Sequence, residues 1–221
     1  MRRFDAWGQR RARAGRLVAT AILLATACGV RFAQAQAKPA APKNEGTVGV
    51  VRKPKDRTSG LIFGPDWTVK FRDMPADWSD ATNLANQLGM QEIFHPRNWN
   101  AHDLTPSIVF SFSRKQPGDE TPAENMTIDE RRSNAHYSLE RIVPEPSLVL
   151  GPKQKAPVRI YEYTHGWDMV VYSESGPALF MTTLHCESAE ECAPFKSFFA
   201  RFVKSLQYQG NTSVLNEWKQ R

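Results

Sequence analysis

The chain lacks a hydrophobic run long enough to cross a bilayer as a helix. Its longest uncharged stretch, Leu17 to Val30 (LVATAILLATACGV), falls short of the roughly 20 residues that a spanning helix needs. Cysteine is scarce, with three residues in the whole sequence, which excludes a small scaffold held by a dense disulfide framework. Catalytic signatures are missing as well. There is no HExxH helix, no GxSxG elbow, no GxxxxGK[ST] phosphate loop and no glycine-rich dinucleotide turn, so no cofactor and no metal centre is expected from motifs. Internal repeats, coiled-coil heptads and low-complexity tracts are absent.

What the sequence does contain starts at its first residues. Six arginines lie between Arg2 and Arg16, the short apolar run follows, and small residues recur in Ala33-Gln34-Ala35 and Ala35-Gln36-Ala37. A basic start, an apolar middle and a small-residue cleavage site make a signal peptide. The arginines hold its start on the cytoplasmic side. Residues 1–37 are therefore expected to leave by cleavage after Ala35 or Ala37, delivering the remainder to a periplasm or outside the cell. A lipoprotein alternative would use Cys28, although Ala25 stands where a lipoprotein box prefers leucine. A twin-arginine route would need flanking residues that Arg2-Arg3 and Arg10-Arg11 lack.

Removing the signal also removes the charge excess. Seven of the 29 basic and one of the 23 acidic residues lie in it, leaving 22 of each. This balance gives no electrostatic footprint for nucleic acid or anionic lipid. Cys28 leaves too, so the mature chain keeps Cys186 and Cys192, an even pair that predicts a disulfide in an oxidising compartment. What is left suits one domain with a real core.

Residues 38–47 (KPAAPKNEGT) read as a flexible lead-in, residues 48–208 as a single domain and residues 209–221 as a polar, fraying tail. Val48–Val51 and Leu61–Phe63 are short strands. Trp67, Val69 and Phe71 alternate with polar neighbours along Asp66–Arg72, and Ile108, Phe110 and Phe112 do the same along Ser107–Ser113. Ser79 caps an expected helix carrying Ala81, Leu84, Ala85 and Leu88 on one face, and Gly89 stops it. A second helix is expected from the Thr127/Glu130 capping-box spacing, with Ile128, Ala135, Leu139 and Ile142 as its stripe and Pro144 as its end. Strands then follow at Ser147–Leu150, Val158–Thr164, Trp167–Glu174 and Ala178–Cys186. Tight turns at His165-Gly166 and Ser175-Gly176-Pro177 make the last three an antiparallel meander. Phe195, Phe198, Phe199, Phe202, Val203 and Leu206 stripe a closing helix, with Ser188/Glu191 and Pro194 as rival start signals. The sum is an α+β domain, an antiparallel sheet with helices packed on it.

Three strands followed by a Phe-rich helix ending in FVKSL, over roughly Val158 to Gln207, resemble the terminal part of PsbP-like or Mog1-like domains, including small bacterial envelope proteins of that fold. The resemblance implies the fold. Those families serve as assembly factors and binding subunits rather than as one enzyme class, so it leaves function open.

Chemistry-bearing residues concentrate in the stretch Ile93 to Asp103, read as a loop because it shows no regular period. Histidines seven apart, His95 and His102, could converge with Asp103 orienting one ring, the pattern of a small periplasmic hydrolase or metal-binding protein. Arg97 and Trp99 make the same stretch a candidate partner contact. Tyr161 and Tyr163 fall opposite Val158 and Ile160 on their strand, and so form a recognition surface if no helix covers that face. His185 beside Cys186 invites a metal reading that strand alternation opposes, since the two point to opposite faces. Asp129, Glu130 and Glu140 are read as solvated helix carboxylates paired with Arg131, Arg132 and Arg141. The leading expectation is a non-catalytic exported protein that binds an envelope protein or a small ligand through the sheet face and the Ile93–Asp103 stretch.

Overall fold

The computed structural model describes residues 48–53, 56–98, 105–115, 121–135 and 138–210. The expected signal peptide and lead-in lie outside these residues, as do Trp99, His102, Asp103 and the tail from Asn211.

Two antiparallel sheets enclose the core. The smaller has the order β1-β2-β3-β11, built from β1 (Gly49–Arg52), β2 (Gly60–Phe63), β3 (Thr68–Phe71) and β11 (Gln207–Gly210). The larger has the order β4-β5-β6-β10-β9-β8-β7. Its strands are β4 (Trp78–Asp80), β5 (Glu92–Pro96), β6 (Ser107–Arg114), β7 (Leu139–Gly151), β8 (Gln154–Tyr163), β9 (Gly166–Ser175) and β10 (Ala178–Cys186). Strands β7 to β10 form a meander, and the turns read from the sequence join β8 to β9 and β9 to β10. The fold is α+β. Each strand of the meander puts apolar side chains on one face at every second residue, as Val158 and Ile160 pair across to Val171 and Met169.

The first helix, α1 (Thr82–Leu88), is shorter than expected, because Ser79 and Asp80 belong to β4. It stops at Gly89, whose φ of 71° is the left-handed conformation that glycine adopts without a Cβ penalty. The second helix, α2 (Pro122–Asn134), starts earlier, at a capping box made by Thr121 and Glu124 instead of Thr127 and Glu130. Leu139 and Ile142 are not on it. They lie on β7, an edge strand, where Pro144 and Pro146 cost no interior ladder bond.

At the C-terminal end, Ser188 caps a single turn, α3 (Ala189–Cys192), Pro194 sits in a 3-10 turn (Ala193–Phe195), and α4 (Lys196–Ser205) follows. Both start signals are therefore used in succession. Phe202 of α4 packs against Phe71 of the small sheet and Phe94 of the large one, with centroids 5.7 Å apart in each case. One apolar cluster contains Ile62, Val69 and Phe71 with Phe94, Phe110, Phe180, Phe199 and Phe202, so the two sheets share a core. Cys186 and Cys192 are bridged, with Cα atoms 5.7 Å apart, tying α3 to the end of β10.

Candidate functional site

The stretch from Ile93 begins as a strand. Glu92, Ile93 and Phe94 pair in register with Phe110, Val109 and Ile108, and all three are buried. Both faces of β5 are covered, which erases the alternation that a sequence reading needs. His95 therefore sits on a strand and not in a loop. Its Nδ1 donates to the Pro96 carbonyl at 2.7 Å. Arg97 is exposed and its backbone N–H is held by the Asp77 carbonyl at 2.8 Å.

Tyr161 is not on an open surface. Helix α2 covers this part of the sheet, Tyr161 has 0% exposure, and Tyr163 is half-buried beside it. The tyrosines belong to a polar layer. Tyr172 donates to the Asp129 carboxylate from α2, and Tyr161 donates to the Tyr172 hydroxyl oxygen at 2.9 Å. Asp129 is buried rather than solvated, Glu130 pairs with Arg159, and Glu140 stands exposed on β7. The binding role expected of Tyr161 is thus replaced by a packing one, because a buried phenol needs its partner inside the protein.

The same face carries a dyad that sequence reading missed. His185 on β10 and Asp168 on β9 are direct cross-strand partners, and their Nδ1 and Oδ1 atoms lie 2.6 Å apart. Asp168 is 6% exposed and orients the ring. In register, Ser107 pairs with His185 and Tyr161 with Asp168, giving a row Ser107, His185, Asp168, Tyr161 across four strands. A serine, a histidine and a carboxylate in one row have the groups of nucleophilic catalysis, yet Ser107 is only 2% exposed. The spacing of Asp168 and His185 along the chain carries no signal, since only the pairing of β9 with β10 brings them together. Among the described residues, no group of three or more His, Cys, Asp or Glu side chains is placed to hold a metal.

A second cluster lies at the corner of β1, β4 and β5. Arg52 points between the sheets, with its guanidinium carbon 5.7 Å from the centre of the Phe94 ring. Its Nη1 donates to the Arg57 carbonyl at 3.1 Å, and its Nε lies 3.7 Å from Asp80. Nε and Nη2 are buried, and among the described residues neither meets a hydrogen-bond acceptor. Burial lowers the pKa of Arg52, Asp80 opposes this, and the neighbouring charges of Arg57 and Arg97 lower it further. Close by, Glu92 is fully buried and accepts from Thr82 Oγ1 at 2.7 Å and from the Ile93 N–H at 3.0 Å. Burial pushes its pKa up to about 7. The corner therefore gathers three guanidinium groups around one unfinished set of donors.

Comparison with solved structures finds a likeness of fold. The chain resembles the solution structure of cyanobacterial PsbP (CyanoP) from Synechocystis sp. PCC 6803, at 10% identity and a TM-score of 0.41, covering 76% of this chain and 96% of that one. No protein family matches the sequence, and no curated protein does.

Proposed function

We propose that this chain is an exported, non-catalytic accessory protein of the cell envelope that binds an anionic group, on a protein partner or a small ligand, at the Arg52 corner. The supporting observation is the pair of unmet donors on Arg52. Nε and Nη2 are the side-on edge of a guanidinium, which matches both oxygens of a carboxylate or phosphate. Asp80, at 3.7 Å, is too far to satisfy them. A buried donor left unmade costs on the order of 1–3 kcal/mol, and an arriving oxyanion relieves that cost. Arg57 and Arg97 are exposed nearby and add attraction. Both donors are shielded, so a ligand reaches them by displacing the side chains that cover them.

The test is retention of envelope components by the mature protein, with Arg57→Glu/Arg97→Glu as the comparison and increasing phosphate as competitor. Binding that survives both the reversal and the competitor refutes the reading, as does the absence of any retained component. Intact mass of the secreted product checks the export step through the new N-terminus after Ala35 or Ala37.

A hydrolase is the second reading, supported by the Asp168–His185 pair. Ester hydrolysis by the purified protein that disappears in His185→Ala would support it. Identical turnover in both proteins removes it.

A further inference from the structure

Strand β7 is an edge of the large sheet, at the end away from β4 and the Arg52 corner. An edge strand turns alternate N–H and C=O groups outward, and proteins blunt such edges with charged residues or proline. The first half of β7 is protected in this way. Glu140 and Arg141 are exposed there, and Pro144 and Pro146 bring no N–H to a neighbour. From Ser147 to Gly151 the guard is missing, because the sequence SLVLG holds neither charge nor proline before Pro152. In the middle of that window stands Val149, which is 53% exposed and, among the described residues, the one large apolar side chain that is exposed. At the end of the window, a Cβ added to Gly151 would meet no atom of the described residues within 4 Å.

We infer that this window is a self-association surface, on which a second copy of the chain pairs antiparallel about a two-fold axis through Val149. The sequence indicates the occupant, since it reads nearly the same in both directions from that residue. Antiparallel strands related by such an axis set residues equally far before and after Val149 against each other. Val149 then meets Val149, Leu148 meets Leu150, Ser147 meets Gly151 and Pro146 meets Pro152. The charges agree as well, because Glu145 comes to the end of the window where Lys153 of the second copy stands. A residue that meets itself on the axis is what an isologous contact requires, and apolar residues directly opposite one another are favourable cross-strand pairs. The pairing of β7 with β8 shifts register between Glu145 and Leu148 and again between Val149 and Gly151, so the contact is centred on Leu148–Leu150. At about 3.4 Å per residue, the window is roughly 17 Å long, which is short for the ~1,200 Å² of a stable complex. Association is therefore weak and concentration-dependent, and it leaves the Arg52 corner, at the other edge of the sheet, uncovered.

The experiment is sedimentation velocity of the mature full-length protein from micromolar to millimolar concentration. The expected result is a shift from monomer to dimer as concentration rises. Val149→Lys sets two cations against each other on the axis and abolishes the shift, and Val149→Glu does the same with two anions. An equimolar mixture of the two variants regains the dimer, because the axis then pairs opposite charges. Side chain 149 is exposed, so thermal unfolding of each variant matches that of the parent and separates lost association from a lost fold. A protein that stays monomeric throughout the range overturns the inference, in favour of a foreign partner if Val149→Lys then abolishes retention of an envelope component. Dimers that persist in both single variants also overturn it and place the contact on another surface. Loss in both variants without recovery in the mixture excludes pairing about Val149.

Discussion

Raising the pH from 5 to 8 should weaken this fold through a single carboxyl group. Glu92 is completely buried at the start of β5, and burial moves its pKa from 4.5 to about 7, with the charge of Asp80 adding to the rise. Hydrogen bonds from Thr82 and Ile93 favour the ionised form and only partly offset this. In the unfolded chain the group titrates near about 4.3. Between that pH and about 7, the folded protein keeps a proton that the unfolded chain has lost, so stability falls as pH rises through the window. The contribution is intact below the unfolded value and lost above about 7. At about 1.4 kcal/mol per pH unit, the whole interval corresponds to roughly 4 kcal/mol, of which about 3 kcal/mol falls between pH 5 and 8.

Glu92→Gln tests this, because glutamine keeps the shape and an acceptor oxygen but does not titrate. Urea denaturation of parent and variant at several pH values between 5 and 8 gives the difference that isolates Glu92 from every other titrating group. The variant should exceed the parent by about 3 kcal/mol at pH 8, and the advantage should vanish or reverse near pH 5. A difference that stays flat over that range refutes the reasoning. It would mean that Arg52 and the hydrogen bonds hold Glu92 ionised in the folded state.

Other outcomes follow from single contacts. Replacing both Cys186 and Cys192 by serine should cost about 2 kcal/mol, from the entropy of a loop of about seven residues, and a reducing agent should produce the same loss in the parent and none in the variant. Tyr172→Phe removes the donor to buried Asp129 and the acceptor for Tyr161, so thermal unfolding should show a loss on the order of 1–3 kcal/mol, larger than that of Tyr163→Phe. In neutral His185 the Asp168 carboxylate should fix the proton on Nδ1. Nitrogen chemical shifts should report that tautomer in the parent and a mixture in Asp168→Ala, whereas an unchanged ratio would show that Asp168 does not orient the ring.

The meander and the closing helix were legible because their sequences state one period cleanly. Ala178–Cys186 was read to the residue, and the Phe stripe of α4 matches its buried positions Phe198, Phe199, Phe202 and Val203. What stayed hidden was non-local. Strand β11 forms only because β3, more than 130 residues earlier, offers an edge. Strand β5 was hidden for the opposite reason, since Ile93 and Phe94 are both buried and leave no polar phase to contrast with. The candidate site suffered most, because His185 meets Asp168, and Arg52 meets Asp80, only through strand pairing and the closure of the two sheets.

The buried side of α2 carries polar residues, and this bears on the function. An apolar stripe of Ile128, Ala135, Leu139 and Ile142 marks the buried side of a helix only if that side is oily. The buried residues of α2 are instead Asp129 and Ser133. They are four apart and so share one face. That face carries polar groups because the sheet beneath it offers partners for them, the hydroxyls of Tyr161 and Tyr172 near Asp129 and Arg159 at Glu130. Helix and sheet are matched in hydrogen bonds as well as in the apolar contact of Met126 with the cluster of Tyr161, Val170 and Tyr172, and the hydrogen bonds make the pairing specific to one placement of the helix, since any rotation leaves a buried carboxylate without its donor. The tyrosine face is therefore committed to α2 and withdrawn from recognition, and the unmet donors of Arg52 become the stronger claimant to a binding role.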